Sequence, residues 1–280
     1  MLAAVISLGL SGLVFGGLLG FAATKFAVPV DEKAAAIREV LPGANCGGCG
    51  FAGCSGLADA ISKGLAPVNK CPVGGPEVAA KIAAIMGVEA DGGERQVAHV
   101  RCLGGCDRAV DRFEYKGIPD CLAASMVTNG GHKACTYGCL GFGTCVKACP
   151  FGALSMGPDG LPVVDREKCT GCGKCVAACP KGLMFLAPAS KTVHIRCNNK
   201  DKAPVVRKVC KVGCIACGAC ARACPSQAIT VADNLARIDY TKCTNCGTCV
   251  AKCPVKVIVD ESRAADGERA VAAAGDQVVS

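Results

Sequence analysis

Two cysteine runs near the C-terminus constrain the fold more than any other feature of the chain. In each run, three cysteines recur at every third residue, a fourth follows four residues later, and a proline comes next: Cys214, Cys217, Cys220, Cys224 and Pro225, then Cys243, Cys246, Cys249, Cys253 and Pro254. Paired [4Fe–4S] clusters use this spacing, the first three thiolates of a run binding one cluster and the fourth crossing to the other. Structural zinc sites also use Cys-x2-Cys pairs, but a zinc site closes with four ligands and has no use for this longer pattern. The runs therefore predict two iron–sulfur clusters.

The composition supports metal ligation throughout the chain. Its 280 residues include 25 Cys, 3 Tyr and no Trp, so few large rings are available for a hydrophobic core. Disulfide-rich secreted proteins are the other class with so many cysteines, but they lack cluster spacing and are usually shorter. We therefore expect a reducing compartment. The formal net charge of +8 is moderate, and we expect no nucleic-acid partner.

The N-terminal segment predicts a membrane anchor. Residues 1–24 carry no charged side chain, and an apolar run of this length crosses a bilayer as a helix. A signal peptide would need a basic segment before the apolar run, which is missing. The first positive charges follow the run, at Lys25, Lys33 and Arg38, which predicts a single-pass transmembrane helix at residues 1–26 in the inner membrane and a cytoplasmic bulk.

A small helical unit follows at residues 31–90. Asp31 is a suitable N-cap for a helix to about Val40, and a second helical pattern runs from about Glu77 to Met86. Between them lie four cysteines in the pattern Cys-x2-Cys-x4-Cys-x16-Cys: Cys46, Cys49, Cys54 and Cys71. The unit predicts a small, mostly helical [4Fe–4S] domain.

Residues 97–254 contain an internal duplication. Four cysteines of a first copy precede four of the second by 75 residues: Cys135, Cys139, Cys145 and Cys149 before Cys210, Cys214, Cys220 and Cys224. Another four precede theirs by 74 residues: Cys169, Cys172, Cys175 and Cys179 before Cys243, Cys246, Cys249 and Cys253. Short apolar, strand-like runs follow each Cys-Pro. The sequence thus predicts an α+β chain with two tandem bacterial-type dicluster ferredoxin-like domains, at 97–190 and 191–258, and a flexible tail at 259–280.

The first copy departs from the second in its ligands. Phe142 stands where the second copy has Cys217, and an insert of about twenty residues carries Cys106 and Cys121. One interpretation recruits Cys135 to Cys139, Cys145 and Cys179. The other assigns a separate cluster to Cys102, Cys106, Cys121 and Cys135, which leaves a neighbouring cluster with a non-Cys ligand or a [3Fe–4S] centre. Since Cys210, the counterpart of Cys135, persists where no ligand is missing, we favour the second.

These interpretations give five to six clusters. Cys197 and Cys210 have no partners in the motifs, and we expect buried thiols there. His99 and His194 lie in alternating, strand-like patterns, where a structural role is the expectation.

The combination of motifs resembles the B subunit of the Rnf complex. The resemblance rests on the apolar N-terminus, CGGCGFAGC, HVRC, KACTYGCLGFGTC and KVCKVGCIACGAC, and it covers the chain apart from its tail. It implies an electron-transfer subunit of a membrane complex that oxidises reduced ferredoxin, reduces NAD and translocates sodium ions or protons. We find no nucleotide loop or flavin signature, so NAD and flavin chemistry is expected on partner subunits. A polyferredoxin of another anaerobic redox complex and a corrinoid-linked reductive activator are the alternatives.

A basic stretch in the second copy predicts a docking surface for the electron donor. Between Lys191 and Arg222 basic side chains dominate, with Asp201 as the only acid. The corresponding insert of the first copy mixes both signs. A one-signed surface accelerates encounters with a partner of the opposite charge, and ferredoxins are acidic by family resemblance. The residues singled out are Lys200, Lys202, Arg207 and Lys208.

Overall fold

A computed structural model describes residues 2–26, 31–89 and 92–262. The α-helices in this part are α1 (Leu2–Lys25), α2 (Glu32–Val40), α3 (Gly53–Ser62), α4 (Gly75–Met86), α5 (Cys121–Ser125), α6 (Thr144–Lys147), α7 (Lys174–Ala178), α8 (Ala203–Val209), α9 (Ala219–Arg222) and α10 (Thr248–Lys252). The strands are β1 (Gln96–Val100), β2 (Leu154–Met156), β3 (Pro162–Val164), β4 (Met184–Pro188), β5 (Val193–Ile195), β6 (Ile229–Ala232), β7 (Leu235–Ile238) and β8 (Ile258–Asp260).

Helix α1 coincides with the apolar N-terminal segment. Large apolar side chains along it, such as Leu13, Phe15 and Leu19, are exposed. Among the residues with a described placement, no helix combines the length and the apolar character needed to span a membrane. The predicted N-terminal helix is therefore present as α1, but its predicted transmembrane character is not supported.

The helical unit packs α2, α3 and α4 around one small core. The side chain of Asp31 accepts the N–H of Lys33 and caps α2, as predicted, and α4 ends at Gly87 in a left-handed conformation. Helix α3, which begins one residue before Cys54, was not predicted from the sequence. Buried aliphatic side chains from all three helices meet in the core: Ile37, Leu57, Ile61 and Ile82.

Two ferredoxin-like copies follow, as predicted. In each, the first strand pairs antiparallel with the last, β1 with β4 and β5 with β8, and the two middle strands form a hairpin, β2 with β3 and β6 with β7. Each copy has its own core of aliphatic side chains and buried cysteines. Strand β8, which pairs with β5, continues to Asp260, two residues beyond the predicted end of the domain at 258. Residues 263–280 of the predicted tail lie outside the described part.

The two copies meet through equivalent histidines. The rings of His99 on β1 and His194 on β5 lie 3.8 Å apart, between centroids, and Nδ1 of His99 is 3.0 Å from a carboxylate oxygen of Glu261. Tyr240 Oη lies 2.7 Å from His194 Nδ1, and Arg166 binds Glu261 at 3.0 Å. Burial and the neighbouring His99 lower the pKa of His194 to about 4, so this ring is neutral near pH 7.

Candidate iron–sulfur centres

The second copy places its eight motif cysteines around two cavities. The first is lined by three cysteines of the first run and the last cysteine of the second: Cys214, Cys217, Cys220 and Cys253. The other is lined by the reverse combination: Cys224, Cys243, Cys246 and Cys249. The crossing over of the fourth cysteine that the spacing predicts is thus present in the fold.

The same local backbone places the third cysteine of each run. Gly218 and Gly247 have φ of 71° and 72°, and the short helices α9 and α10 begin directly after them. Gly143 and Gly173 repeat this geometry before α6 and α7 in the first copy, with φ of 68° and 75°. Glycine adopts this left-handed conformation without steric cost, which lets the chain turn sharply around a cluster.

In the first copy, one set keeps the expected composition. Burial raises the pKa of the Cys175 thiol, and the nearby thiols of Cys169, Cys172, Cys145 and Cys149 raise it further. Three of these neighbours complete the combination found in the second copy, three closely spaced cysteines of one run and the fourth of the other, whereas Cys145 belongs to the adjacent set.

The second set of the first copy takes its fourth thiol from the insert. Cys121 lines a cavity with the three motif cysteines that remain there: Cys139, Cys145 and Cys179. Its backbone N–H donates to Thr144 Oγ1 at 2.8 Å, and Asp120, the N-cap of α5, accepts the Thr144 hydroxyl at 2.7 Å. Phe142 instead joins an aromatic group with Tyr115 and His132. Neither sequence interpretation assigned Cys121 to this set.

The predicted separate set of Cys102, Cys106, Cys121 and Cys135 is not brought together. Cys106 is exposed, and its N–H donates to the carbonyl of Asp159 on another loop. Cys102 and Cys135 line a different cavity from Cys121. The insert thus leaves Cys106 exposed and places Cys121 in a cavity. The spacing of the two cysteines in the sequence does not reveal this separation.

The helical unit brings Cys49, Cys54 and Cys71 near one another around the start of α3, with Cys46 in the preceding loop. The thiol of Cys71 interacts with those of Cys54 and Cys49, and the N–H of Gly48 donates to Cys46 Sγ at 3.5 Å. Sequence reasoning passed over Asn45, whose side chain accepts the N–H of Cys54 at 2.8 Å. Asn45 has φ of 45°, a conformation that asparagine tolerates better than most residues.

Gly48 allows the cysteine loop of the helical unit to approach the first ferredoxin-like copy closely. A Cβ at Gly48 would lie 2.7 Å from the carbonyl oxygen of Cys172. The cysteine loop of the helical unit therefore packs directly on the loop that carries a motif cysteine of its neighbour.

The chemistry of these sites fits [4Fe–4S] clusters. Every set offers four thiols, and backbone N–H groups point at their sulfurs: Ala98 at Cys169, Leu183 at Cys179, Ala228 at Cys224 and Asn245 at Cys243, each at 3.4 Å. Such hydrogen bonds set cluster potentials. Burial raises the pKa of Cys139 to about 12 and that of Cys145 to about 11, so iron must supply the positive charge that stabilises these thiolates.

Comparisons with known proteins identify the family. Residues 41–73 match a family described as a putative Fe-S cluster, and two families of 4Fe-4S dicluster domains match residues 134–183 with 213–257 and residues 161–225. The chain is 52% identical over 229 residues to the B subunit of the proton-translocating ferredoxin:NAD(+) oxidoreductase complex of Clostridium ljungdahlii, covering 81% of this chain and 80% of the relative. The chain belongs to the family of Rnf complex B subunits.

Two other Rnf B subunits show the same extent of similarity. The B subunit of the Na(+)-translocating ferredoxin:NAD(+) oxidoreductase complex of Acetobacterium woodii is 52% identical over 235 residues, which cover 84% of this chain and 70% of the relative. The B subunit of an ion-translocating oxidoreductase complex of Methanosarcina acetivorans is 48% identical over 231 residues, 82% of this chain and 87% of the relative. The chain is accordingly an iron–sulfur electron-transfer subunit with several [4Fe–4S] clusters.

Proposed function

We propose that the chain accepts electrons from reduced ferredoxin and relays them within an ion-translocating ferredoxin:NAD+ oxidoreductase, as the names of its relatives indicate. The observation that carries the proposal is the contiguity of the thiol sets. Gly48 packs its cysteine loop against Cys172, and the thiols of Cys175 and Cys145 in the next two sets interact. [4Fe–4S] clusters, when bound, supply one-electron transfer, and the protein sets their spacing and surroundings.

The ligand sets follow from the cavities and the thiol contacts. We assign five: Cys46, Cys49, Cys54 and Cys71; Cys149, Cys169, Cys172 and Cys175; Cys121, Cys139, Cys145 and Cys179; Cys214, Cys217, Cys220 and Cys253; Cys224, Cys243, Cys246 and Cys249. All five have four cysteines, so no three-iron centre is needed. NAD and flavin chemistry falls to the other subunits of the complex, whose presence the family membership implies.

Helix α1 attaches this chain to the membrane part of the complex in our proposal. Its apolar side chains face outward along the helix, and a helix that is apolar on all sides is normally covered by lipid or by other protein. The first basic side chains follow the helix, which favours a cytoplasmic location for the remainder.

The donor docks, we propose, around helix α8. Lys200, Lys202, Arg207 and Lys208 are all exposed, and the last two lie in the final turn of α8. Among the described residues, an ion pair of these side chains joins Lys200 Nζ to Asp233 at 3.9 Å, and Asp201 is the one acid within the basic stretch. The basic side chains therefore outnumber the acids on this surface, as a docking site for an acidic partner requires.

Charge reversal tests both the donor and its docking surface. Changing Lys200, Lys202, Arg207 and Lys208 to Glu should slow reduction by ferredoxin roughly tenfold or more at low salt, because steering by the opposite charge is lost. The wild-type rate should fall steeply as salt shortens the Debye length from about 10 Å at 0.1 M to about 3 Å at 1 M, and the variant's rate should not. Stopped-flow absorbance under anaerobic conditions measures both rates.

A matched control changes the same charge elsewhere. Four exposed lysines distant in sequence serve for this purpose: Lys63, Lys70, Lys81 and Lys252. Their reversal to Glu should leave most of the ferredoxin-dependent rate intact. Equal rates in both variants would reject α8 as the docking surface, and no reduction of the wild-type complex by ferredoxin would reject the function itself.

A further inference from the structure

A cavity between the two ferredoxin-like copies is lined by four cysteines that belong to none of the five ligand sets assigned above. They are Cys102 and Cys135 of the first copy and Cys197 and Cys210 of the second. Three of them are buried, and Cys210 is partly buried. The empty volume is about 420 Å³, close to the 400, 340 and 310 Å³ of the cavities lined by motif cysteines.

The four thiols are related by the internal duplication. Cys102 follows His-Val-Arg after β1, and Cys197 follows His-Ile-Arg after β5. Cys135 and Cys210 likewise occupy equivalent positions four residues before the first motif cysteine of their copies. Each copy therefore contributes the same two thiols, and the site is closed only when the copies face each other.

Backbone contacts hold the two halves of this site together. Ala109 of the first-copy insert forms an antiparallel bridge with Cys210, and the N–H of Val110 donates to the carbonyl of Val209 at 3.0 Å. On the other side, Arg196 Nε donates to the carbonyl of Val100 at 3.1 Å. Gly104 leaves room for the thiols, because a Cβ there would lie 3.3 Å from Cys210 Sγ and 3.7 Å from Cys102 Sγ.

The sulfurs of this site receive the same kind of hydrogen bonds as the motif cysteines. Cys197 Sγ accepts the backbone N–H of Asn199 at 3.5 Å and that of Cys214 at 3.4 Å. The buried Asn199 side chain donates to Cys135 Sγ at 3.3 Å, across the boundary between the copies. Several N–H donors aimed at clustered sulfurs suit thiolates that carry shared negative charge.

The cavity lies next to one thiol set of each ferredoxin-like copy. The N–H of Cys214, a member of a second-copy set, donates to Cys197 Sγ at 3.4 Å. On the other side, the backbone N–H of Cys139, a member of a first-copy set, lies close enough to the Cys102 thiol to lower its pKa, against the larger rise that burial causes. The cavity thus lies between one thiol set of each copy.

We propose that Cys102, Cys135, Cys197 and Cys210 bind an additional [4Fe–4S] cluster that is shared by the two ferredoxin-like copies. The sets of four then account for every cysteine of the chain except Cys106. The cluster joins the sets of the two copies into one continuous row. This proposal concerns ligation alone and stands whether or not ferredoxin is the donor.

Iron and acid-labile sulfide counts on the anaerobically purified full chain test the proposal. The wild type should hold roughly twenty-four iron atoms, four for each of six clusters. The double variant Cys197→Ala/Cys210→Ala should hold about four fewer, and so should Cys102→Ala/Cys135→Ala. Because both pairs bind the same cluster, the quadruple variant should lose no more than either pair. Cys106→Ala should keep the full count.

The outcomes separate the alternatives. About twenty iron atoms in the wild type, additive losses in the quadruple variant, or about one equivalent of zinc in place of four iron atoms would overturn the proposal. A loss of iron in Cys106→Ala would instead support the separate cluster of Cys102, Cys106, Cys121 and Cys135 that was predicted from the sequence. Since the wild-type count and the Cys106 variant do not depend on how well the double variants fold, they remain decisive if those chains are unstable.

Discussion

At the scale of single residues, our assignment gives Cys121 the place of a missing motif cysteine, because it lines the cavity of Cys139, Cys145 and Cys179. Phe142 occupies the second position of the first-copy run and turns its ring to Tyr115 and His132. Thr144 holds the start of α5 through its hydroxyl, which brings Cys121 to the cavity. The N-capped helix α5 thus supplies, through Cys121, the thiol that the motif loop lacks at Phe142.

This arrangement predicts a rescue. Cys121→Ala should lose between about one and about four iron atoms, since a cubane with three cysteine ligands readily releases iron. Adding Phe142→Cys should restore the count, because Gly141 and Gly143 keep the left-handed backbone, with φ of 78° and 68°, that flanks the motif cysteine in the second copy. Iron analysis and EPR of the oxidised protein measure both steps. A full iron count in Cys121→Ala alone would contradict the assignment.

At the scale of elements, short units with limited cores depend on their contacts with each other. The helical unit has three helices around a core with five large buried aliphatic side chains: Ile37, Leu41, Leu57, Ile61 and Ile82. It meets the first ferredoxin-like copy where Gly48 lies against the backbone of Cys172. A contact this close admits no side chain, because neither backbone has room to move without displacing a cysteine.

Gly48→Ala should therefore displace the helical unit. Its Cβ would approach the Cys172 carbonyl oxygen to 2.7 Å, and overpacking of this kind costs roughly 1–3 kcal/mol. Hydrogen–deuterium exchange should accelerate in the loops around Gly48 and Cys172 with the iron count unchanged. Gly56→Ala in α3 is the control, since its Cβ would meet only ordinary contacts at 4.0 Å. Equal exchange in the two variants would refute a tight contact.

At the scale of the whole molecule, the copies form one body through their equivalent strands. The rings of His99 and His194 lie 3.8 Å apart with a tilt of 37°, and Glu261 of the second copy forms an ion pair with Arg166 of the first at 3.0 Å. Outside this body, α1 exposes apolar side chains to its surroundings. The attachment of α1 to lipid or to partner subunits, as proposed above, would remove that surface from water.

Deletion of residues 1–26 should consequently release the chain from membranes with all its clusters. The described core contacts of the helical unit and both copies involve residues 34 onward, so the truncated chain should keep the full iron count. Fractionation of cells that express either form, followed by iron analysis of the released protein, measures this. Truncated protein that still sediments with membranes would place the attachment elsewhere.

The sequence by itself determined the chemistry and the local geometry of the motifs. Ligand spacing is a short-range property, so the eight motif cysteines of the second copy, the tandem fold and the capped helix α2 were all predicted from residues close together in the chain. The repeat offset of 75 residues also related Cys135 to Cys210, although the motifs gave Cys197 and Cys210 no partner.

Only the tertiary structure decided which distant thiols meet. Spacing within the insert suggested that Cys102, Cys106, Cys121 and Cys135 belong together, but the path of the insert separates them. It passes along α8 of the other copy, and the backbone pairing of Ala109 with Cys210 depends on the docking of two folded domains. Docking depends on the side chains and backbone that each domain presents at its surface, and these are defined only after each domain has folded.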